Sequence, residues 1–164
     1  MTAAAPIVLA PFDWSRDADL LKHWLHVPHV TRWWGPPESA LSELQALEGA
    51  QMAIITEAGK PIGFLCWQLP SRAELDEAGL TELPADHVDI DIMIGEPDAL
   101  GRGCGPAALA CLLERLRAEG VRQVGLAVEQ SNQRARAAYA KAGFRPWRDF
   151  VENGAAHLYL TRSL

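Results

Sequence analysis

From Ala99 to Ala108 the chain reads ALGRGCGPAA, with Gly101, Gly103 and Gly105 at alternate positions ahead of an apolar helical pattern. Glycine reaches positive φ with little strain and has no Cβ, so such a run lets backbone turn sharply or lie against a ligand. Just upstream, HVDIDIMIG (His87 to Gly95) alternates Val88, Ile90, Ile92 and Ile94 with Asp89, Asp91 and Met93. That pattern gives a strand one apolar face and one face with two carboxylates. Three ligands compete for the glycines. A Walker A loop is excluded because no Gly-Lys-Ser/Thr follows them. A dinucleotide fold is favoured by Gly103–Ala108, which fits G-x-G-x-x-A, and by Glu129 at the end of the next strand. It is disfavoured by the segment Gly95–Leu100, because in that fold the glycines come straight off the strand. The third ligand is the pyrophosphate of an acyl-coenzyme A, held by backbone N–H groups where a helix starts near Pro106. The helix dipole and Arg102 would add positive charge there. A plain strand-to-helix turn would need no ligand at all.

The elements that must position these groups follow from periodicity and turn chemistry. Ile7–Ala10 reads as a strand. Ser15 is then expected to cap a helix whose stripe is Leu20, Leu21, Trp24 and Leu25. Pro28, Gly35, Pro36 and Pro37 are expected to break the chain, leaving Trp33 and Trp34 in an irregular loop before a short helix near Ser39–Glu48. QMAIIT and IGFLCWQL form a hairpin, and Pro70–Asp86 reads as a polar loop. After the acidic strand and the glycines, Leu109, Leu112, Leu113 and Leu116 mark a helix that stops at Gly120. QVGLAVE is a buried strand. Ser131 or Asn132 caps a helix with Ala135, Ala138, Tyr139 and Ala142 on its inner stripe, ending at Gly143. FRPWRDFV and AHLYLTR form a last hairpin around Glu152-Asn153-Gly154. The order describes an α/β (α+β) mixed sheet of about seven strands flanked by about four helices, with one β-helix-β-helix unit.

Composition narrows the function. The 164 residues fit one domain, residues 1–164, with 49% hydrophobic and 22% charged residues and a net charge of -6. A nucleic-acid binder would be basic, so a cationic small-molecule amine is the better partner and neither nucleic acid nor membrane is expected. Cys66, Cys104 and Cys111 have neither disulfide nor metal-ligand spacing, which points to a reducing cytoplasm and to no metal. AAAPIVLA lacks the basic segment of a secretory signal, and no run approaches membrane-spanning length. Glu74, Asp76, Glu77, Glu82 and Asp86 crowd the loop before the acidic strand. A solvated charge run is the ordinary reading of these acids; attraction of a polyamine is the functional one.

DIDIMIGEPDALGRGCGPAALACLL, followed at its proper distance by SNQRARAAYAKAGF, resembles the GNAT superfamily of acetyl-CoA dependent N-acetyltransferases. HVTRWWGPPE together with IDIMIGEPDALGRG is similar to the aminoglycoside 6'-N-acetyltransferase branch, and the likeness extends over nearly the whole chain. The resemblance implies a mostly antiparallel sheet splayed at its central strands, with acetyl-CoA (coenzyme A) as co-substrate. It implies that Met93, Ile94 and Gly95 hold the acetyl carbonyl. Arg102, Gly103, Cys104, Gly105, Pro106 and Ala107 would surround the pyrophosphate, with Asn132 near the pantetheine arm. It makes Asp91 the acid that meets the acceptor amine and Tyr139 the phenol beside the thioester sulfur. The chain departs from the pattern in three places. Leu100 stands where Gln or Arg is usual, Pro106 removes one N–H, and Val128-Glu129-Gln130 replaces an Asp-Pro, with Glu129 a possible substitute acid.

On this reading the reaction is antibiotic-resistance chemistry: Asp91 serves as base and Tyr139 as acid in direct transfer to a primary amine. The plain alternatives are a solvent-facing strand residue for Asp91 and a core tyrosine for Tyr139. Asp89 would attract the cationic acceptor. Trp33 and Trp34 would wall its pocket, with one tryptophan expected to serve the core instead. Cys104 at a helix start raises the thought of an acyl-cysteine, but no histidine can be placed beside it, so it reads as loop filler. Other acceptors (a polyamine, a siderophore lysine, a protein N-terminus) and a non-catalytic acyl-CoA binding module are the competing functions, for a monomer or a homodimer.

Overall fold

The structure, a computed structural model, describes residues 5–70, 72–77, 79–80 and 82–164. In chain order these form β1 (Ile7–Pro11), α1 (Trp14–Leu25), α2 (Pro28–Trp34), α3 (Pro37–Ala46), β2 (Gln51–Glu57), β3 (Lys60–Gln68), α4 (Arg72–Glu77) and β4 (Val88–Ile94). A 3-10 turn (Pro97–Ala99) leads into α5 (Cys104–Ala118), β5 (Gln123–Glu129), α6 (Gln133–Lys141), β6 (Arg145–Glu152) and β7 (Ala155–Ser163). The strands form one sheet in the order β1-β2-β3-β4-β5-β7-β6. β1 with β2, β5 with β7, and β6 with β7 run antiparallel, whereas β4 and β5 run parallel, with Val88 beside Val124 and Asp89 beside Gly125. A parallel pair needs a crossover, and α5 supplies it. The expected mixed, mostly antiparallel seven-stranded sheet is therefore present.

Local chemistry revises several expected boundaries. Asp13, not Ser15, caps α1: its carboxylate accepts from Ser15 N–H at 2.8 Å, while its own N–H donates to Asp17 Oδ2 at 2.9 Å. Trp33 and Trp34 are not in a loop but in the last turn of α2. Pro28 and Pro37 each occupy the first turn of a helix, where a missing N–H costs nothing, so the prolines start helices instead of breaking them. The Thr31 hydroxyl donates to Leu25 O at 2.8 Å and ties α2 to the end of α1. The expected polar loop contains α4, whose Leu75 is buried and accepts from Leu80 N–H at 2.7 Å. Of the two proposed caps for α6, Asn132 is the one used, its Oδ1 accepting from Ala135 N–H at 3.2 Å. α5 starts at Cys104, with Pro106 in its first turn, and closes on Val121 N–H donating to Leu116 O at 2.9 Å.

The chain divides into two compact units. The first joins the segment ending at Cys66 to Ile92–Cys111; the second joins Trp67–Asp91 to Leu112–Leu164. The core of the first is built on Leu21, Trp24, Leu25, Val30, Phe64 and Met93. A cluster of Leu75, Leu80, Leu83 and Tyr159 fills part of the second, with Trp147 and Phe150 against it. β4 passes from one to the other between Asp91 and Ile92. In the first unit a Cβ on Gly95 would lie 2.2 Å from the ring of Trp24, which is fully buried. Gly95→Ala is therefore expected to lower stability by about 1–3 kcal/mol through overpacking. Urea unfolding of the variant beside Gly101→Ala, whose site has no neighbour within 4 Å and carries only the strain of φ 72°, separates steric from conformational cost.

Candidate active site

In the first unit the end of β4 is held from three sides. Ile62 O accepts from both Gly95 N–H (2.8 Å) and Glu96 N–H (3.1 Å), two donors on one carbonyl as in a β-bulge. Trp24 lays its ring on Gly95 and donates Nε1–H to Glu96 Oε1 at 3.0 Å. His29 reaches Ile94 O at 2.8 Å, and a carbonyl only accepts, so its Nε2 carries the hydrogen. Gly95 thus departs from expectation: its N–H serves Ile62, and its missing side chain is demanded by Trp24. Met93 is buried, and Ile94 partly so.

The glycine turn follows. Gly101 and Gly103 adopt φ of 72° and 79°, so the turn itself requires them. Gly105 is different. It has no positive φ, and a Cβ there would meet nothing within 4 Å, so the chain's own packing gives no reason for glycine. Close approach of a ligand gives one. Ala107 N–H donates to Gly103 O at 3.2 Å and Pro106 has none, which leaves Arg102–Gly105 as the stretch able to offer backbone donors. The Arg102 side chain is already engaged. It pairs with Glu57 Oε1 at 2.5 Å and donates Nε–H to Asp98 O at 3.1 Å. Glu57 also faces Cys104, whose sulfur lies 3.5 Å from Oε2. Burial, and then the Glu57 charge, push the Cys104 thiol above its ordinary range. A thiolate is disfavoured there.

Also in the first unit, the two tryptophans of α2 have different surroundings. Trp34 packs on the core, whereas Trp33 carries the Arg32 guanidinium over its ring at 4.7 Å.

The second unit holds the acids and phenols. Tyr159 Oη lies 2.8 Å from Asp89 Oδ1 and 2.7 Å from Nε2 of the fully buried His87, within hydrogen-bond reach of both. Asp89 is therefore not the solvent-facing attractor the alternation predicted; its carboxyl is enclosed, and burial, followed by the Asp91 charge, holds its pKa well above the usual carboxylate range. Asp91 itself is exposed. Tyr139 packs edge-on to Phe144 at 6.5 Å between centroids. Burial first, and then the charge of Asp91, raise its phenol, so it stays protonated and lies within electrostatic reach of that acid. Asn132 is occupied as the α6 cap through its oxygen, and Glu129 accepts from the Ser131 hydroxyl at 2.9 Å. Among the described residues no group of three His, Cys, Asp or Glu could hold a metal, and no helix is long and apolar enough to cross a membrane.

Residues 13–151 match the acetyltransferase (GNAT) domain family. A 58-residue stretch is 47% identical to the mycothiol acetyltransferase of Beutenbergia cavernae, covering 35% of this chain. The chain spans 20% of the length of that curated relative. The crystal structure of aminoglycoside acetyltransferase AAC(6')-Ib with coenzyme A and kanamycin superposes with a TM-score of 0.81, at 22% identity over 96% of this chain and 94% of that one. An acetyltransferase from Thermus thermophilus superposes at 0.71, with 26% identity over 99% of this chain and 100% of that one. The buried, charge-flanked environment of Cys104 makes a direct prediction of reactivity. Iodoacetamide at neutral pH is expected to label exposed Cys111 about tenfold faster than Cys104; mass spectrometry of timed samples gives the ratio, and preferential labelling of Cys104 would contradict the assigned environment.

Proposed function

This chain belongs to the GNAT acetyltransferase domain family, and from that premise we propose that it moves an acetyl group from acetyl-CoA to a primary amine of a cationic small molecule, with an aminoglycoside 6'-amine as the first acceptor to test. The observation that carries the reading lies in β4. Asp91, an exposed carboxylate, and Met93, at the start of the clamped backbone, belong to one strand, so their Cα atoms are about 7 Å apart. The glycine turn follows directly. The family match over residues 13–151 supports one acetyltransferase domain.

Acetyl-CoA, when bound, supplies the activated thioester. Backbone N–H groups of Arg102–Gly105, at the start of α5, suit its diphosphate, and the empty space over Gly105 lets that ligand close on the main chain. Asn132 stands for the pantetheine arm. The backbone at Met93 and Ile94 is assigned to the acetyl carbonyl, since Gly95 N–H is committed to Ile62 O. Asp91 takes one proton from the acceptor ammonium. The amine nitrogen then forms its bond to the acetyl carbon, and the C–S bond breaks. Tyr139, kept protonated by its surroundings, gives its proton to the departing thiolate. Acceptor binding falls to Trp33 and to the exposed acids of the second unit, which a net charge of -6 reinforces. The kanamycin complex of AAC(6')-Ib supports an aminoglycoside; the mycothiol acetyltransferase segment supports a different amine as the second reading.

Thiol release from acetyl-CoA is expected with kanamycin or tobramycin and not with spermidine or a peptide N-terminus; the reverse pattern would move the acceptor to the second reading, and coenzyme A binding without turnover on any amine would leave only a binding module. Tyr139→Phe is expected to reduce kcat at least about tenfold while the Kd for acetyl-CoA stays within about twofold. Because Glu57 holds Arg102, Glu57→Gln is expected to tighten coenzyme A about two- to fivefold by calorimetry.

A further inference from the structure

Behind Asp91 lies a buried chain of polar groups for which the reaction above has no use: Asp89, Tyr159, His87 and Gln123. Its three contacts are Asp89 Oδ1 to Tyr159 Oη at 2.8 Å, Tyr159 Oη to His87 Nε2 at 2.7 Å, and His87 Nδ1 to Gln123 Oε1 at 3.3 Å. β5 gives up a side chain to admit it. A Cβ on Gly125 would sit 2.5 Å and 2.6 Å from Tyr159 Cε1 and Oη, and 2.7 Å from His87 Nε2.

With the Gln123 oxygen facing His87, counting hydrogens fixes what the chain contains. Three contacts need three hydrogens, one for each. The Gln123 oxygen has none to give, so His87 Nδ1 carries one. The Tyr159 hydroxyl has one and can point it at a single neighbour. The remaining contact needs a third, which comes either from a neutral Asp89 carboxyl or from Nε2 of a doubly protonated His87. These two forms interconvert when Asp89 passes its proton to Tyr159 and Tyr159 passes its own to His87, with no heavy atom moving. In both the group carries one proton more than an ionised Asp89 with a neutral His87, and its net charge is zero.

We propose that Asp89, Tyr159 and His87 hold one shared proton as a neutral buried unit, and that Asp89 is thereby a positioning residue that leaves Asp91 as the ionised carboxylate of the pair. The proposal rests on Asp91 being the base. The surroundings favour it. Asp91 on the same strand, Glu74 on α4 and Glu152 on β6 all oppose a negative charge on Asp89, and Tyr159 on β7 is the group that favours one. At the other end burial opposes a charge on His87, against the attraction of Asp86, which is itself paired with Arg122 at 3.0 Å. The competing arrangement turns the Gln123 amide so that its N–H2 faces Nδ1; His87 is then the neutral Nε2–H tautomer and Asp89 is ionised.

Nitrogen-15 NMR of the His87 ring in the intact protein at pH 7 separates the two without any ligand. The proposal requires a protonated Nδ1, alone or with Nε2; a bare Nδ1 with a protonated Nε2 overturns it. Linkage gives a second readout, because the folded unit keeps a proton that Asp89 loses on unfolding. Relative to Asp89→Asn, the wild-type unfolding constant is expected to rise about tenfold per pH unit between pH 5 and 8. A difference that stays flat over that range overturns the proposal. In thiol-release assays with kanamycin, Asp89→Asn is expected to leave the acidic limb of kcat/KM in place, whereas removal of a charged neighbour would drop it by about one unit. Asp91→Asn tests the base separately. Full activity there ends that role for Asp91, while the ring tautomer still decides the state of Asp89.

Discussion

A strand has two faces, and β4 must change what one of them does within five residues. By parity Asp89, Asp91 and Met93 point the same way, yet Asp89 has an enclosed carboxyl, Asp91 is exposed and Met93 is buried. Backbone geometry cannot vary enough to arrange this, so the neighbours do. Gly63 lies against Met93, whose carbonyl oxygen would be 2.3 Å from a Cβ there; Gly125 opens the space that Tyr159 and His87 fill beside Asp89; Gly95 receives Trp24. Three glycines around one strand are each required by a side chain or carbonyl pressing on them. The glycines of the following turn are required by dihedral angle or, at Gly105, by neither.

This division separates two kinds of chemistry. The clamped end of β4 and the glycine turn belong to the first unit, and Asp89, Asp91 and Tyr139 belong to the second. One covalent strand carries both. Two carboxylates two residues apart ordinarily resist being ionised together, because the charge on each raises the other's pKa. Enclosing one of them with a phenol and an imidazole makes them unequal.

Much of the fold was legible because its signals are local. Alternation marked β4, and Glu152-Asn153-Gly154 marked the last hairpin, where Asn153 and Gly154 take positive φ. The failures were local too. Pro28 and Pro37 were read as breakers though each starts a helix, and α4 has six residues, too few for periodicity to show. At the site, Asp91, Tyr139 and the glycines were legible as motif residues. Their partners were not. Glu57 lies 45 residues from Arg102, His29 lies 65 from Ile94, Trp24 lies 72 from Glu96 and His87 lies 72 from Tyr159, and nothing in the local pattern of either member announces the other. The position of Asp89 was misread for the same reason. Alternation specifies a face; it does not specify what that face packs against.

The bare backbone at Gly125 has a bearing on how this sequence can drift. A methyl group there collides with Tyr159 and His87 together, while loss of either ring leaves a void over the glycine and breaks the chain of contacts that ends on the Asp89 carboxyl. The three positions therefore behave as a single inherited character. Single-step routes away from it pass through less stable intermediates, and departure is easiest when the phenol, the imidazole and the glycine are exchanged as a set.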